Sequence, residues 1–296
     1  MLNEIAAGFS LWDRFKKHFA TEKQASEVDS VASRFIRLFE KHGVHQNQIP
    51  RFFGHGLTLA DVADHEKLLS KLTHEILQSA CELFAVRLAW LEGVDEKIYE
   101  THDFYKRPED YAEFLAQLIA DGKHRTIPKL VLSTDPSRGE DALLVLEEQI
   151  DIIENEPVIR YHLCSNWDSK YWKARADLTA CIAMTLKQHV YIKGRRMRSK
   201  IQTFCAGEGF ITDLYDLPLA FERDRLFRRL YQTWHPDYWI YNPIAFLEGV
   251  DEEENSFGIT SALERWLYYF NKGYMETGYH RESVHADFTA ALEKYK

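Results

Sequence analysis

Five basic residues crowd one short stretch of the chain: Lys193, Arg195, Arg196, Arg198 and Lys200. Arginine presents a planar fork that matches phosphate and carboxylate, and lysine a mobile point charge. Such a run can therefore clamp a phosphorylated ligand or a nucleic-acid backbone. The competing reading is a solvated face, the usual fate of a charge run. Further on, Trp234, His235, Tyr238, Trp239 and Tyr241 gather closely, which is material for an apolar pocket with a few polar handles. Lys193, Arg195, Arg196 and Arg198 with Trp234, His235 and Tyr238 make up the candidate phosphate or ligand set. His162 and Cys164 stand two apart, which places them on one face of a strand, and Cys181 or Cys205 could join them around zinc. Structural zinc sites bring a second tightly spaced pair, which is missing, so no metal is expected. Buried thiols beside a satisfied histidine account for these residues. Glu147 and Glu148 are adjacent, so on a strand they face opposite ways and cannot serve one substrate as an acid–base pair. The sequence has no GxGxxG, no Gly-Lys-Ser/Thr phosphate loop, no GxSxG and no HExxH. No catalytic residue is nominated and no cofactor is implied.

The 296 residues are enough for one large domain or two ordinary ones. A composition 45% hydrophobic and 28% charged is that of a globular chain and excludes a disordered one. Net charge of -9 excludes a protein that coats nucleic acid indiscriminately, because phosphate contacts supply most of that affinity. Any DNA contact must come from a local patch. The four cysteines are scattered, without a CxxC, and there is no leader-like start and no apolar run of the ~20 residues that span a bilayer. A cytoplasmic protein with reduced thiols and no membrane contact is the expectation.

The elements follow from periodicity. Ile5, Phe9, Trp12, Phe15 and Phe19 recur at helical spacing and predict an amphipathic helix over 2–19, a candidate dimer contact. Val28 to Gly43 predicts a second helix. Thr73 is placed to cap a third, and Gly93 to end a short helix holding Trp90 and Leu91. Pro108 opens a helix that runs toward Gly122. The pattern then changes. Ile127 to Ser133 reads as a strand, and Leu144 to Ile152 alternates with period two. Asn155, Glu156 and Pro157 supply a turn, and Val158 to Cys164 returns as the second arm of a hairpin. Ser165, Asn166 or Asp168 is placed to cap a helix through Leu186, and Val190 to Lys193 reads as one more strand. The remainder, through Leu226, Leu230, Trp266, Phe270, Phe288 and Leu292, is helical. The fold class is α+β and predominantly helical, with a small antiparallel or mixed sheet. Its expected divisions are 1–27, 28–100 and 101–296.

Residues 31 to 93 carry a further pattern. Gln46 and Ile49 stand at the opening and the buried position of a short helix, and Phe53 and Gly54 close it. Leu57, Thr58 and Val62 open the next helix, and Glu66 follows. Ala80, Leu83, Val86, Trp90, Leu91 and Gly93 complete the series. This stretch resembles the lambda-repressor-like (Cro/repressor-type) helix-turn-helix family. The resemblance covers about a fifth of the chain and implies a small helical bundle that offers one helix to the major groove of DNA. Pro50 replaces the small residue, usually alanine, of the second helix, and Asp61 and Asp64 fall in the groove-facing region. Residues 31–95 carry seven Lys and Arg against eight Asp and Glu, a balance of -1. The DNA contacts are therefore assigned to a polar edge: Gln46, Asn47, Gln48, Arg51 and His55, with Thr58.

Three functional readings result. The first is a DNA-binding transcriptional regulator, a homodimer whose remainder senses a small-molecule effector or mediates dimerisation. The second is an enzyme or small-molecule binder built on residues 126–296, with the helical module as an accessory. The third is an assembly protein whose module contacts proteins only.

Overall fold

The computed structural model describes residues 30–120, 125–133, 141–197, 201–217, 234–250, 258–277 and 283–296. The expected helix over 2–19, the side chains of Arg198 and Lys200, and the helical stretch around Leu226 and Leu230 lie outside them.

Among the described residues six helices come first: α1 (Val31–Lys41), α2 (Ile49–Phe52, entered through a 3-10 turn at Gln46–Gln48), α3 (Leu59–Val62), α4 (His65–Lys71), α5 (His74–Phe84) and α6 (Leu88–Leu91). Local chemistry sets their ends. Ser30, Thr58, Asp64 and Thr73 each accept a hydrogen bond from a backbone N–H of the helix they open. Pro50 sits in the first turn of α2, where its missing donor costs nothing. Gly93, at φ +81°, stops the chain after α6.

Next come β1 (Thr101–Asp103), α7 (Pro108–Ile119), β2 (Arg125–Ser133), β3 (Asp141–Ile153), β4 (Glu156–Asp168), α8 (Trp172–Lys187) and β5 (Lys193–Met197). The chain continues through α9 (Gln202–Cys205), α10 (Ile211–Asp216), α11 (Tyr238–Tyr241), α12 (Pro243–Leu247), α13 (Gly258–Asn271) and α14 (Val284–Tyr295). The fold is α+β. The five strands form one mixed sheet in the order β1-β4-β3-β2-β5. β3 runs against both its neighbours, whereas β1 parallels β4 and β5 parallels β2.

Alternation along the strands sends two sets of side chains to opposite faces. Leu130, Leu132, Leu144, Leu146 and Cys164 join a core with α7, α8 and the C-terminal helices. Val131, Leu143, Val145, Tyr161 and Leu163 join a second core with the N-terminal helices, Met197, Ile201 and the residues of α10. The helical module thus lies against one sheet face and shares its core. α8 is buried continuously from Ala174 to Leu186, so over that stretch it has no solvent-exposed face. Its buried Arg175 stacks on Trp239, 4.0 Å from ring centroid to Cζ. It donates to the carbonyls of Ser169 (2.6 Å), Phe246 (2.6 Å) and Glu248 (3.0 Å).

Several expectations change. The β3–β4 hairpin is where periodicity puts it, but β4 runs on to Asp168. Neither Ser165, Asn166 nor Asp168 caps a helix, and α8 opens after Tyr171. Asn166, at φ +74°, lies in β4 where the register with β3 shifts. It is the extra residue of a bulge, and this explains why Trp167 falls on the same side as Cys164 despite their odd spacing. The last strand is not Val190 to Lys193. The basic run itself forms β5, because Val131 and Leu132 of β2 offer a parallel edge to Arg195 and Arg196. β1, only three residues long, covers β4 at Leu163–Ser165 alone. Nearer its start, β4 meets the module instead, where the Ile159 N–H donates to the His42 carbonyl at 3.0 Å.

Candidate functional site

The polar edge of the module faces outward, away from the core it shares with the sheet. Asn47, Arg51, His55 and Thr58 are exposed, and Gln46 and Gln48 are half-buried. The edge is held by its own contacts. The Gln46 amide donates to the Val62 carbonyl, which ties the first turn to α3. The Gln48 side-chain oxygen accepts from the His45 N–H at 3.0 Å. Arg51 pairs across 3.1 Å with Glu154 at the tip of the β3–β4 hairpin. The His55 ring stacks on Phe53 at 4.2 Å. The Thr58 hydroxyl donates to Asp61 at 2.7 Å and accepts the Asp61 N–H at 3.3 Å. The Thr58 hydroxyl and the Thr58 backbone N–H (2.9 Å) both donate to Asp61 Oδ2 and hold the carboxyl below its usual range, so it remains charged.

The helix that the resemblance would turn toward a DNA groove, α3, has four residues, one turn about 6 Å long. Its exposed side chains are Leu59 and Ala60, followed by Ala63. Leu59 is 61% exposed, and Leu69 on the next helix is 50% exposed. These side chains offer no donor or acceptor to a base edge. Several of the module's cations are engaged within the chain, some by the module itself and some by the body. Arg34 is buried and donates to the Trp90 carbonyl at 2.7 Å, Lys41 pairs with Asp213, and Arg87 pairs with Asp95 at 2.9 Å.

The ligand set is only partly brought together. Gly194 pairs with Trp234 through an isolated bridge, so the basic strand and the aromatic cluster do meet. Arg196 lies over the Trp234 ring at 5.1 Å and reaches Glu248 at 3.4 Å. Arg195, its neighbour on the strand, points to the opposite face. It lies over Tyr215 at 4.8 Å and donates to the Tyr215 carbonyl at 3.4 Å. Lys193, His235 and Tyr238 are exposed. Because strand residues alternate, Arg195 and Arg196 cannot close on one phosphate from one side of the sheet. Glu147 and Glu148 diverge for the same reason. Glu147 pairs with Lys129 at 2.6 Å on one face, and Glu148 is held by Arg160 (2.6 and 2.8 Å) and His162 (2.8 Å) on the other.

His162 is thus engaged by a carboxylate, and among the described residues no His, Cys, Asp and Glu cluster of three could hold a metal. Burial pushes the Cys81 and Cys205 thiols up to about 12, and Cys164 and Cys181 are raised as well. All four therefore stay protonated and poorly nucleophilic. No described helix is long and apolar enough to cross a membrane.

Sequence reasoning missed a buried carboxylate, Asp177, around which Arg265, Tyr269 and the Lys106 backbone converge. The available signal was an aspartate in a helical run, Ala174 to Leu186, that is apolar apart from Arg175, Thr179 and Thr185. Comparison of the chain with protein-family models, with curated proteins and with solved structures returned no match.

Proposed function

We propose that this is an assembly protein, in which the helix-turn-helix-like module contacts another protein surface, in the first instance a second copy of the chain. The sheet and the helices packed on its other face are its carrier. The observation that carries this reading is the character of α3. Where a groove reader would place hydrogen-bonding side chains, the module exposes Leu59, Ala60 and Ala63, with Leu69 on the next helix. Burying what remains exposed of each leucine is worth about 1–2 kcal/mol.

The test is light scattering on the full chain. A mass of twice 34.8 kDa is expected at tens of micromolar protein, about 50 µM. Leu59→Asp or Leu69→Asp should weaken association about tenfold without lowering the melting temperature. A wild-type chain that stays monomeric over that range, or a dimer indifferent to both substitutions, sinks the proposal.

Double-stranded DNA is the second reading, favoured by the joint exposure of Asn47, Arg51 and His55 on one edge. With one turn of helix and few uncommitted cations, the contact would be to phosphates and only weakly sequence-selective. A gel shift at about 1 µM protein and about 50 mM salt, lost on Arg51→Glu and on raising the salt, would favour it over assembly.

A further inference from the structure

We infer that the cavity between α7, α8 and α13 binds a small aromatic oxyanion, a carboxylate or phosphate group carried on a flat ring. This inference does not depend on what the module contacts.

The cavity is an open cleft of about 420 Å³, and Trp172, Tyr268 and Tyr274 supply flat walls. Lys106, Arg265 and Lys272 supply positive charge. Arg265 is fixed from behind. Its Nε donates to Asp177 Oδ1 at 2.7 Å, and its Nη2 donates to the Tyr269 hydroxyl at 2.9 Å. That hydroxyl in turn donates to Asp177 Oδ1 at 2.6 Å. Asp177 is fully buried, and its Oδ2 accepts the Lys106 N–H at 2.9 Å. The same carboxylate therefore orients the guanidinium and holds Lys106 at φ +66°, a conformation lysine rarely adopts. Nη1 of Arg265 has no protein partner among the described residues, so part of the fork is left to a ligand.

Two acids also line the cavity, and both have compensation elsewhere. Glu264 lies 3.8 Å from Lys296. Glu109 occupies the first turn of α7, where the helix dipole favours negative charge. The two lysines have no carboxylate partner among the described residues. Lys106 lies over the Tyr105 ring at 4.7 Å and Lys272 over Tyr268 at 5.6 Å. With Asp177 counted, three cations meet three carboxylates and the cavity is near neutral overall; what favours an oxyanion is the open Nη1 of Arg265 and two lysines without a carboxylate partner among the described residues, set beside aromatic walls. A pinned guanidinium, two lysines and flat rings are what an aromatic acid or aryl phosphate requires.

Calorimetric titration of the full chain with benzoate, phenyl phosphate, inorganic phosphate and benzylamine tests this. Benzoate or phenyl phosphate should saturate with Kd of about 0.1–1 mM, at least about tenfold tighter than inorganic phosphate or benzylamine. Arg265→Gln should abolish binding, but it also strips a buried carboxylate of its partner and can unfold the chain. Lys272→Glu, at an exposed position, avoids that problem. It should weaken binding about tenfold or more with the melting temperature of the unliganded protein unchanged. The inference is overturned if neither aromatic probe saturates by about 10 mM, if inorganic phosphate or benzylamine binds as well, or if Lys272→Glu has no effect.

Discussion

The His42 imidazole, 1% exposed, is packed at the junction of module and sheet against the rings of Phe84 (4.5 Å) and Tyr161 (5.4 Å). Its Nδ1 donates to the Leu38 carbonyl at 2.7 Å, which leaves Nε2 to accept from the Tyr99 hydroxyl at 3.3 Å. Both nitrogens are thus used in the neutral form, and burial lowers the pKa from 6.5 to about 4. The unfolded chain takes up this proton more readily than the folded chain. Stability is therefore full above pH 6.5, declines as the pH falls below it, and stops declining near pH 4. The loss from this one group is about 3 kcal/mol. Chemical denaturation between pH 7 and 4 should show that slope, and His42→Gln should flatten it even though the variant starts out less stable. An unchanged slope in the variant would place the acid sensitivity elsewhere. Nothing in the sequence around Lys41-His42-Gly43 distinguishes this histidine from the exposed His45 three residues later. The difference arises only when the sheet is laid against it.

β5 shows how a neighbour can decide an element. By composition Lys193-Gly194-Arg195-Arg196-Met197 is a poor strand, and it becomes one because the parallel edge of β2 is available. Gly194 makes the fit with Trp234 possible. A Cβ there would lie 2.5 Å from the indole Nε1 and 2.6 Å from the Trp234 backbone oxygen. Gly194→Ala should cost about 1–3 kcal/mol in urea unfolding, with a change in tryptophan fluorescence that reports displacement of Trp234. A neutral substitution would mean that this bridge contributes little. Elements whose period is carried by their own residues were legible in the sequence: the β3–β4 hairpin, the α5 helix behind its Thr73 cap, and α7 behind Pro108. Those that depend on distant partners were not. The Asn166 bulge keeps β4 going past the expected helix cap, and three-residue β1 is too short to show any period.

For the molecule as a whole, the two cores meet at one sheet. Phe39, Phe84 and Trp90 of the module belong to the same apolar cluster as Val145, Tyr161 and Leu163 of the sheet. The Lys41–Asp213 pair adds a polar tie to α10. Module and sheet face should therefore unfold together. Residues 30–95 expressed alone should lack near-ultraviolet circular dichroism and a cooperative thermal transition, and a folded fragment would contradict this. The same geometry explains which parts of the candidate sites could be read early. The edge from Gln46 to Thr58 is contiguous in sequence and came with the family resemblance. The cavity around Asp177 draws on residues 106, 172 and 265–274, which neither spacing nor motif connects.

The bond from Ile159 to His42 has one more consequence. Because β1 is so short, the first half of β4 would otherwise present open amides beside Val158, Ile159 and Tyr161, a template on which strands from other molecules could stack. The tail of α1 occupies that margin, and Gly43 sits so close to the Pro157 carbonyl that a Cβ there would lie 2.5 Å away. The helical module thereby shields this margin of the sheet from fibrillar recruitment, and a lesion that loosened it should first be felt as insolubility.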